Sequence, residues 1–154
     1  AMENLHTYGL VPVIHEIVEK KTPFLGICLG LQILFERSEE SPGVAGLGLL
    51  KGEILRIPDK EGLKIPHMGW NSIHLQNGGR LFKGISQESY VYFVHSYYLK
   101  AEEEEIVKAT TEYSTHIHAS VEKGNLFACQ FHPEKSSDLG LAILKNFAEI
   151  GEED

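Results

Sequence analysis

A chain of 154 residues, 42% apolar, with seven Phe and six Tyr is long and apolar enough for a single globular domain, 1–154, with its own core. The formal charge of −8 argues against a nucleic-acid or anionic-membrane surface, and the acidic runs Glu102–Glu105 and Glu152–Asp154 read as solvated segments. Two cysteines are too few for a disulfide framework. With no membrane-length apolar run and no charged-then-apolar leader, the expectation is a cytoplasmic chain with reduced thiols.

Taken in order, "AMENLHTYGL" is already amphipathic and helical, with no strand before it. Leu10, Val13, Ile14, Ile17 and Val18 recur at helical spacing and predict a helix over 10–20, broken by "KKTP" because a residue before proline is pushed out of the α region. Phe24 to Ile27 reads as a short buried strand. After Cys28 the helical spacing of Leu29, Ile33 and Leu34 predicts a second helix to about Ser38. A passage with Gly43, Gly46, Gly48 and Gly52 follows, and from "GEILRIP" to His132 the text is strand-like: "WNSIHL", "YVYFVHSYYL", then a hairpin turning at Gly124-Asn125. Asp138 is the expected cap of a last helix that buries Leu141, Leu144, Phe147 and Ala148. The mixture predicts an α/β fold.

Chemistry concentrates at "GICLG", residues 26–30, which has the form of a nucleophile elbow with Cys28 in the serine position. A strand turning sharply into a helix crowds its own backbone, and glycines relieve that crowding. The helix start behind Cys28 would favour the thiolate, and the N–H of Leu29 could bind an oxyanion. A small buried cysteine with two incidental glycines fits the same five residues.

A cysteine nucleophile needs a base. Of eight histidines, His132 stands out because it follows the apolar run "LFACQF" and is succeeded by Pro133 and Glu134, whose carboxylate can hold the imidazole in one tautomer. His116 and His118 lie on one strand face as a conceivable metal pair without an evident third ligand. His6, His15 and His74 read as surface or edge residues, His67 and His95 as hydrogen-bonded structural histidines, and Cys129 as core.

"GICLGLQ" with the distant "FHPE" resembles the class I glutamine amidotransferases, and "PHMGWN", "YFVHSYY", "FERSEE" and "CQFHPEKS" narrow the resemblance to glutaminase subunits of imidazole glycerol phosphate synthase. The resemblance implies a three-layer, flavodoxin-like α/β domain and a Cys28-His132-Glu134 triad that releases ammonia from glutamine through a γ-glutamyl thioester. It maps glutamine contacts to Gln32, to the backbone at Ser96 and Tyr97, and to Glu40. It also implies a heterodimer in which ammonia passes through the (β/α)8 barrel of a cyclase subunit, yielding imidazole glycerol phosphate and an aminoimidazole carboxamide ribotide for histidine biosynthesis. His67, Met68, Trp70, Asn71, Tyr92 and Lys135 are the implied partner-facing residues, although Trp70 reads equally well as core. No metal or organic cofactor is implied.

Family members begin with a strand and a Gly-rich loop that supplies an oxyanion N–H, and the expectation is that this chain starts after that loop. A stand-alone cysteine γ-glutamyl hydrolase of the same fold and a non-catalytic partner-binding domain therefore stay open beside the synthase reading.

Overall fold

The computed structural model describes residues 1–152; the acidic end, Glu153-Asp154, lies outside the described residues. Helices α1 (Met2–Thr7) and α2 (Leu10–Glu19) are separated by Tyr8 and Gly9, and α2 stands where the helical spacing places it. Strand β1 (Phe24–Ile27) leads through Cys28 into α3 (Leu29–Gln32). Then come β2 (Arg37–Ser38), β3 (Gly52–Arg56), β4 (His67–Leu75), β5 (Ser89–His95), β6 (Tyr97–Ala101), β7 (Val107–Tyr113), β8 (Thr115–Lys123), β9 (Leu126–Cys129) and α4 (Ser137–Glu152).

Six strands form one sheet in the order β1-β9-β8-β7-β4-β5, in which β1 and β9 run parallel and the other neighbours antiparallel. A smaller sheet has the order β2-β3-β6. Alternation along the strands divides the core in two. Leu126 and Ala128 of β9, Val107 of β7 and Val121 of β8 pack with Ile14, Leu31 and Ile54, while Phe127, Cys129, Ala109 and Ala119 pack with Phe93, Phe131 and Ile143 of α4. The large sheet is thus sandwiched between α4 on one face and, on the other, a layer of α1–α3 and the small sheet. Strand β9, buried on both faces, is apolar throughout, as a doubly covered strand must be.

Two expectations change. The helix after Cys28 ends at Gln32 instead of reaching Ser38, because the carbonyls that would continue it are taken by the loop that follows. Leu47 N–H donates to Ile33 C=O at 2.8 Å, Leu49 and Leu50 N–H to Leu34 C=O, and Gly46 N–H to Glu36 C=O at 3.0 Å. In α4 the buried face is Gly140, Ile143 and Ile150 with Phe147 alongside; Leu141 and Ala148 face solvent, and Asp138 lies within the first turn, not before it. The phase follows a backbone contact. A Cβ on Gly140 would lie 1.8 Å from the Pro133 carbonyl oxygen, so the helix can close on that loop only through a glycine.

Candidate active site

The β1–β9 pairing positions the site. Ile27 stands opposite Cys129, and Cys28 N–H continues the ladder to Cys129 C=O at 2.8 Å. Cys28 and the segment that leads to His132 therefore leave the sheet at the same end. Cys28 sits at φ 54°, ψ −104°, a conformation L-residues rarely adopt, at the corner where β1 becomes α3. Only one of the two flanking glycines is required there by space. A Cβ on Gly26 would lie 2.5 Å from the Gly30 carbonyl oxygen, whereas a Cβ on Gly30 meets nothing within 4 Å.

The thiol is half-buried, and burial pushes it above the ordinary range; the Leu29 N–H, Gln130 and Lys135 pull the other way, while the Glu134 charge adds to the rise. The helix start favours the thiolate as expected, through the Leu29 N–H, but it does not decide the balance. A four-residue helix contributes little dipole, and desolvation of the sulfur wins. A thiol held this way needs a base to take its proton.

His132 lies three residues beyond the end of β9, half-buried, with its N–H bonded to Tyr92 C=O of β5 at 2.9 Å. Its Nδ1 is 2.5 Å from Glu134 Oε1. A carboxylate accepts, so Nδ1 carries a proton, and in the neutral imidazole Nε2 is the nitrogen with the lone pair. Ser136, fully buried, holds this loop: its Oγ donates to His132 C=O at 2.6 Å and accepts from Tyr92 N–H at 2.9 Å. Pro133–Lys135 form a 3-10 turn, and Lys135 is exposed.

Gln32, in the last turn of α3, donates from Nε2 to Tyr97 C=O at 3.2 Å and to Gln130 Oε1 at 3.1 Å. Gln130 in turn donates to Cys28 Sγ at 3.5 Å. Gln130 escapes the sequence reading, though it carries a signal: an amide with 0% exposure in the run "LFACQF" must have partners. Ser96 marks the step from β5 in the large sheet to β6 in the small one, and its carbonyl accepts from Ile57 N–H at 2.9 Å. A cleft of about 280 Å³ is lined by Leu29, Gln32, Ser38 and Glu40 among others, with the Glu40 side chain exposed at it; Cys28 is not part of that lining.

The "PHMGWN" strand divides between its two faces. Met68 and Trp70 are 63% and 51% exposed, and Trp70 lies edge-on to the half-buried Tyr92 across the β4–β5 pair, so Trp70 is not core. His67 and Asn71 point the other way. His67 is buried, stacked between Phe93 and Tyr113, which removes its imidazole from the expected partner-facing set. Asn71 spends its amide on Glu112 C=O and Ser72 N–H. His116 is exposed and bonded to Glu112, His118 is buried and accepts from Ala101 N–H, and the described residues hold no cluster of three or more His, Cys, Asp or Glu fit for a metal.

His67 and His95 form a buried pair, Nδ1 to Nε2 at 3.0 Å. Burial lowers both from the usual 6.5 to about 4; the neighbouring His95 lowers His67 further, and for His95 the Tyr97 carbonyl opposes the fall. Unfolded imidazoles bind protons below about 6.5, and the folded pair does so only near 4. Between those values the unfolded state holds more protons, so stability drops as pH falls. Urea unfolding of the full-length subunit should show on the order of 2–4 kcal/mol lost from this pair between pH 7 and 5. A His67→Phe/His95→Asn double variant should lose less over that interval, and an equal loss contradicts the assignment.

The sequence matches the family described as glutamine amidotransferase class-I over residues 4–150, and the chain belongs to that family. Its curated relatives include the imidazole glycerol phosphate synthase subunit HisH of Moorella thermoacetica, 55% identical over 97% of this chain and 70% of the relative. The HisH subunit of Methanocaldococcus jannaschii is 51% identical over 97% of this chain and 74% of its own length. The fold is shared with a crystal structure of glutamine amidotransferase, at TM-score 0.69 and 19% identity over 96% of this chain and 71% of that one. A glutamine amidotransferase from Thermotoga maritima matches at TM-score 0.61 and 20% identity, over 96% of this chain and 56% of that one.

Proposed function

We propose that this chain carries the glutaminase chemistry of imidazole glycerol phosphate synthase, hydrolysing glutamine and delivering ammonia to a cyclase subunit in histidine biosynthesis. The observation that carries the reading is Cys28 held at φ 54° on the strand-to-helix corner, at the sheet end where the Glu134-oriented His132 emerges. HisH relatives at about half identity support the choice of synthase over other amidotransferases.

In this reading His132 Nε2 takes the Cys28 proton as sulfur attacks the glutamine side-chain carbonyl, and Leu29 N–H stabilises the oxyanion. The C–N bond breaks as His132 returns that proton to the leaving nitrogen, freeing ammonia and leaving a γ-glutamyl thioester. Water, deprotonated by His132, then attacks the thioester; glutamate departs and the thiol is restored. Glu134 orients the base throughout. Gln32 and the backbone at Ser96 and Tyr97 hold the substrate, and Glu40 pairs with its ammonium group.

The cyclase subunit, a (β/α)8 barrel in this proposal, covers the strip of Met68, Trp70, Tyr90 and Tyr92, with Lys135 beside it. Three of those side chains, Met68, Trp70 and Tyr90, are more than half exposed on adjacent strands, which favours a partner subunit over a stand-alone hydrolase. No helix among the described residues is long and apolar enough to cross a membrane, and the proposed setting is the cytoplasm.

A glutamine analogue with an electrophilic diazoketone in place of the amide tests the reading. With the full-length subunit and its partner, mass spectrometry should find one adduct, on Cys28. An unmodified Cys28, or labelling confined to Cys129, overturns it.

A further inference from the structure

A line of hydrogen bonds joins β4 to the nucleophile, and the donor of each bond is determined, with donation converging on Tyr97 C=O from both sides. Tyr97 C=O can only accept, so His95 Nδ1, 2.8 Å away, carries a proton. His95 Nε2 then has a lone pair and accepts from His67 Nδ1 at 3.0 Å. His67 Nε2 is left as an acceptor and faces Asn71 Nδ2 at 3.4 Å. Beyond Tyr97 the line continues through Gln32 Nε2 and Gln130 to Cys28 Sγ.

Two amides on this line have both N–H protons committed, and Cys28 Sγ is also held from β5, donating to Val94 C=O at 3.8 Å. The two Nδ2 protons of Asn71 go to Glu112 C=O and His67, and the two Nε2 protons of Gln32 go to Tyr97 C=O and Gln130. His67 cannot swing away, because Phe93 and Tyr113 stack on its two faces at 4.7 and 4.0 Å. Its strand bears the exposed Met68 and Trp70 on the opposite face.

We propose that His67 and His95 are positioning residues for Cys28: they hold the Tyr97 carbonyl, and through Gln32 and Gln130 the sulfur, and so tie the nucleophile to the strand whose outer face is open to a partner. This rests on the glutaminase reading above. The consequence is that a shift of β4 when its outer face is covered reaches Cys28 through side-chain amides and imidazoles, without any partner residue entering the site.

Three substitutions in the full-length subunit, assayed with its cyclase partner present, test this. His95→Gln removes the Nδ1 donor to Tyr97, His95→Asn keeps an N–H at that place, and His67→Phe keeps the ring stack while removing the donor to His95. The readouts are glutaminase kcat and KM, the rate at which iodoacetamide alkylates Cys28, and the melting temperature. We expect His95→Gln to lower kcat about ten-fold or more and to change the alkylation rate several-fold, with His95→Asn recovering most of both. His67→Phe should give a smaller loss of the same kind.

Folded His95→Gln or His67→Phe with kcat and alkylation within about two-fold of wild type overturns the proposal. So does a folded His95→Asn no better than His95→Gln. If His95→Gln does not fold, His67→Phe decides alone. Cys28→Ala in the same assay separates the two levels: glutaminase activity surviving it contradicts the reaction itself, whereas its loss beside a wild-type His95→Gln contradicts only the positioning role.

Discussion

Replacing Cys28 by alanine should abolish glutamine-dependent synthesis by the full-length complex while leaving synthesis from added ammonia intact. The thiol supplies the electron pair for the covalent step, and no neighbour can take over. Gln130 and Leu29 N–H are donors, and Cys129 is fully buried with its thiol pushed far up by desolvation. Removing a nucleophile of this kind costs about 10⁴-fold or more in turnover, close to the limit of detection. Ammonia-dependent synthesis is the necessary control. It uses the partner's chemistry alone, so its loss would mean that the substitution had damaged the complex. Substantial glutaminase turnover in the alanine variant would contradict the assignment of Cys28.

The second large effect is structural and comes from the elbow. Gly26→Ala should destabilise the full-length subunit by about 3 kcal/mol and abolish glutaminase activity. The added methyl would stand 2.5 Å from the carbonyl oxygen and 2.7 Å from the carbonyl carbon of Gly30, and both are backbone atoms that cannot rotate aside. Relief requires α3 to lift from β1, which moves Leu29, Gln32 and the Cys28 corner together. Gly30→Ala is the matched comparison. Its Cβ would point into open space from a helical position, so it should be neutral or stabilise by up to about 1 kcal/mol. Urea midpoints of the two variants check this, and equal destabilisation would refute the asymmetry.

Much of this geometry is written locally. The four residues Phe24–Ile27 form β1 as their apolar run predicts, and Gly124, at φ 61°, turns the hairpin between β8 and β9 where the sequence places it. The strain at Cys28 is foreshadowed by "GICLG", and the short step from His132 to Glu134 allows a carboxylate to reach Nδ1. Features that depend on distant segments are misread. The length of α3 is set by the loop at 46–50 and the phase of α4 by Pro133; His67 is the hydrogen-bonded structural histidine its context suggests, and only its implied partner-facing role fails, because Phe93 and Tyr113 enclose the ring. None of those partners can be identified from the segment itself.

The sequence by itself determined the family, the order of elements around the elbow, and the identities of the residues proposed as nucleophile, base and orienting acid. The family rests on the resemblance carried by "GICLGLQ", "FHPE", "PHMGWN" and "YFVHSYY", whereas the elements rest on pleat alternation and turn chemistry, which act over a few residues. Only the tertiary structure decided that burial outweighs the helix start at the Cys28 thiol, that Gly26 and not Gly30 is the glycine the corner needs, and that Gln130, Ser136 and the His67–His95 pair support the site. The physical reason is that desolvation and the satisfaction of buried polar groups depend on contacts between residues far apart in the chain: Gln130 lies 102 positions from Cys28, and Tyr97 lies 65 from Gln32.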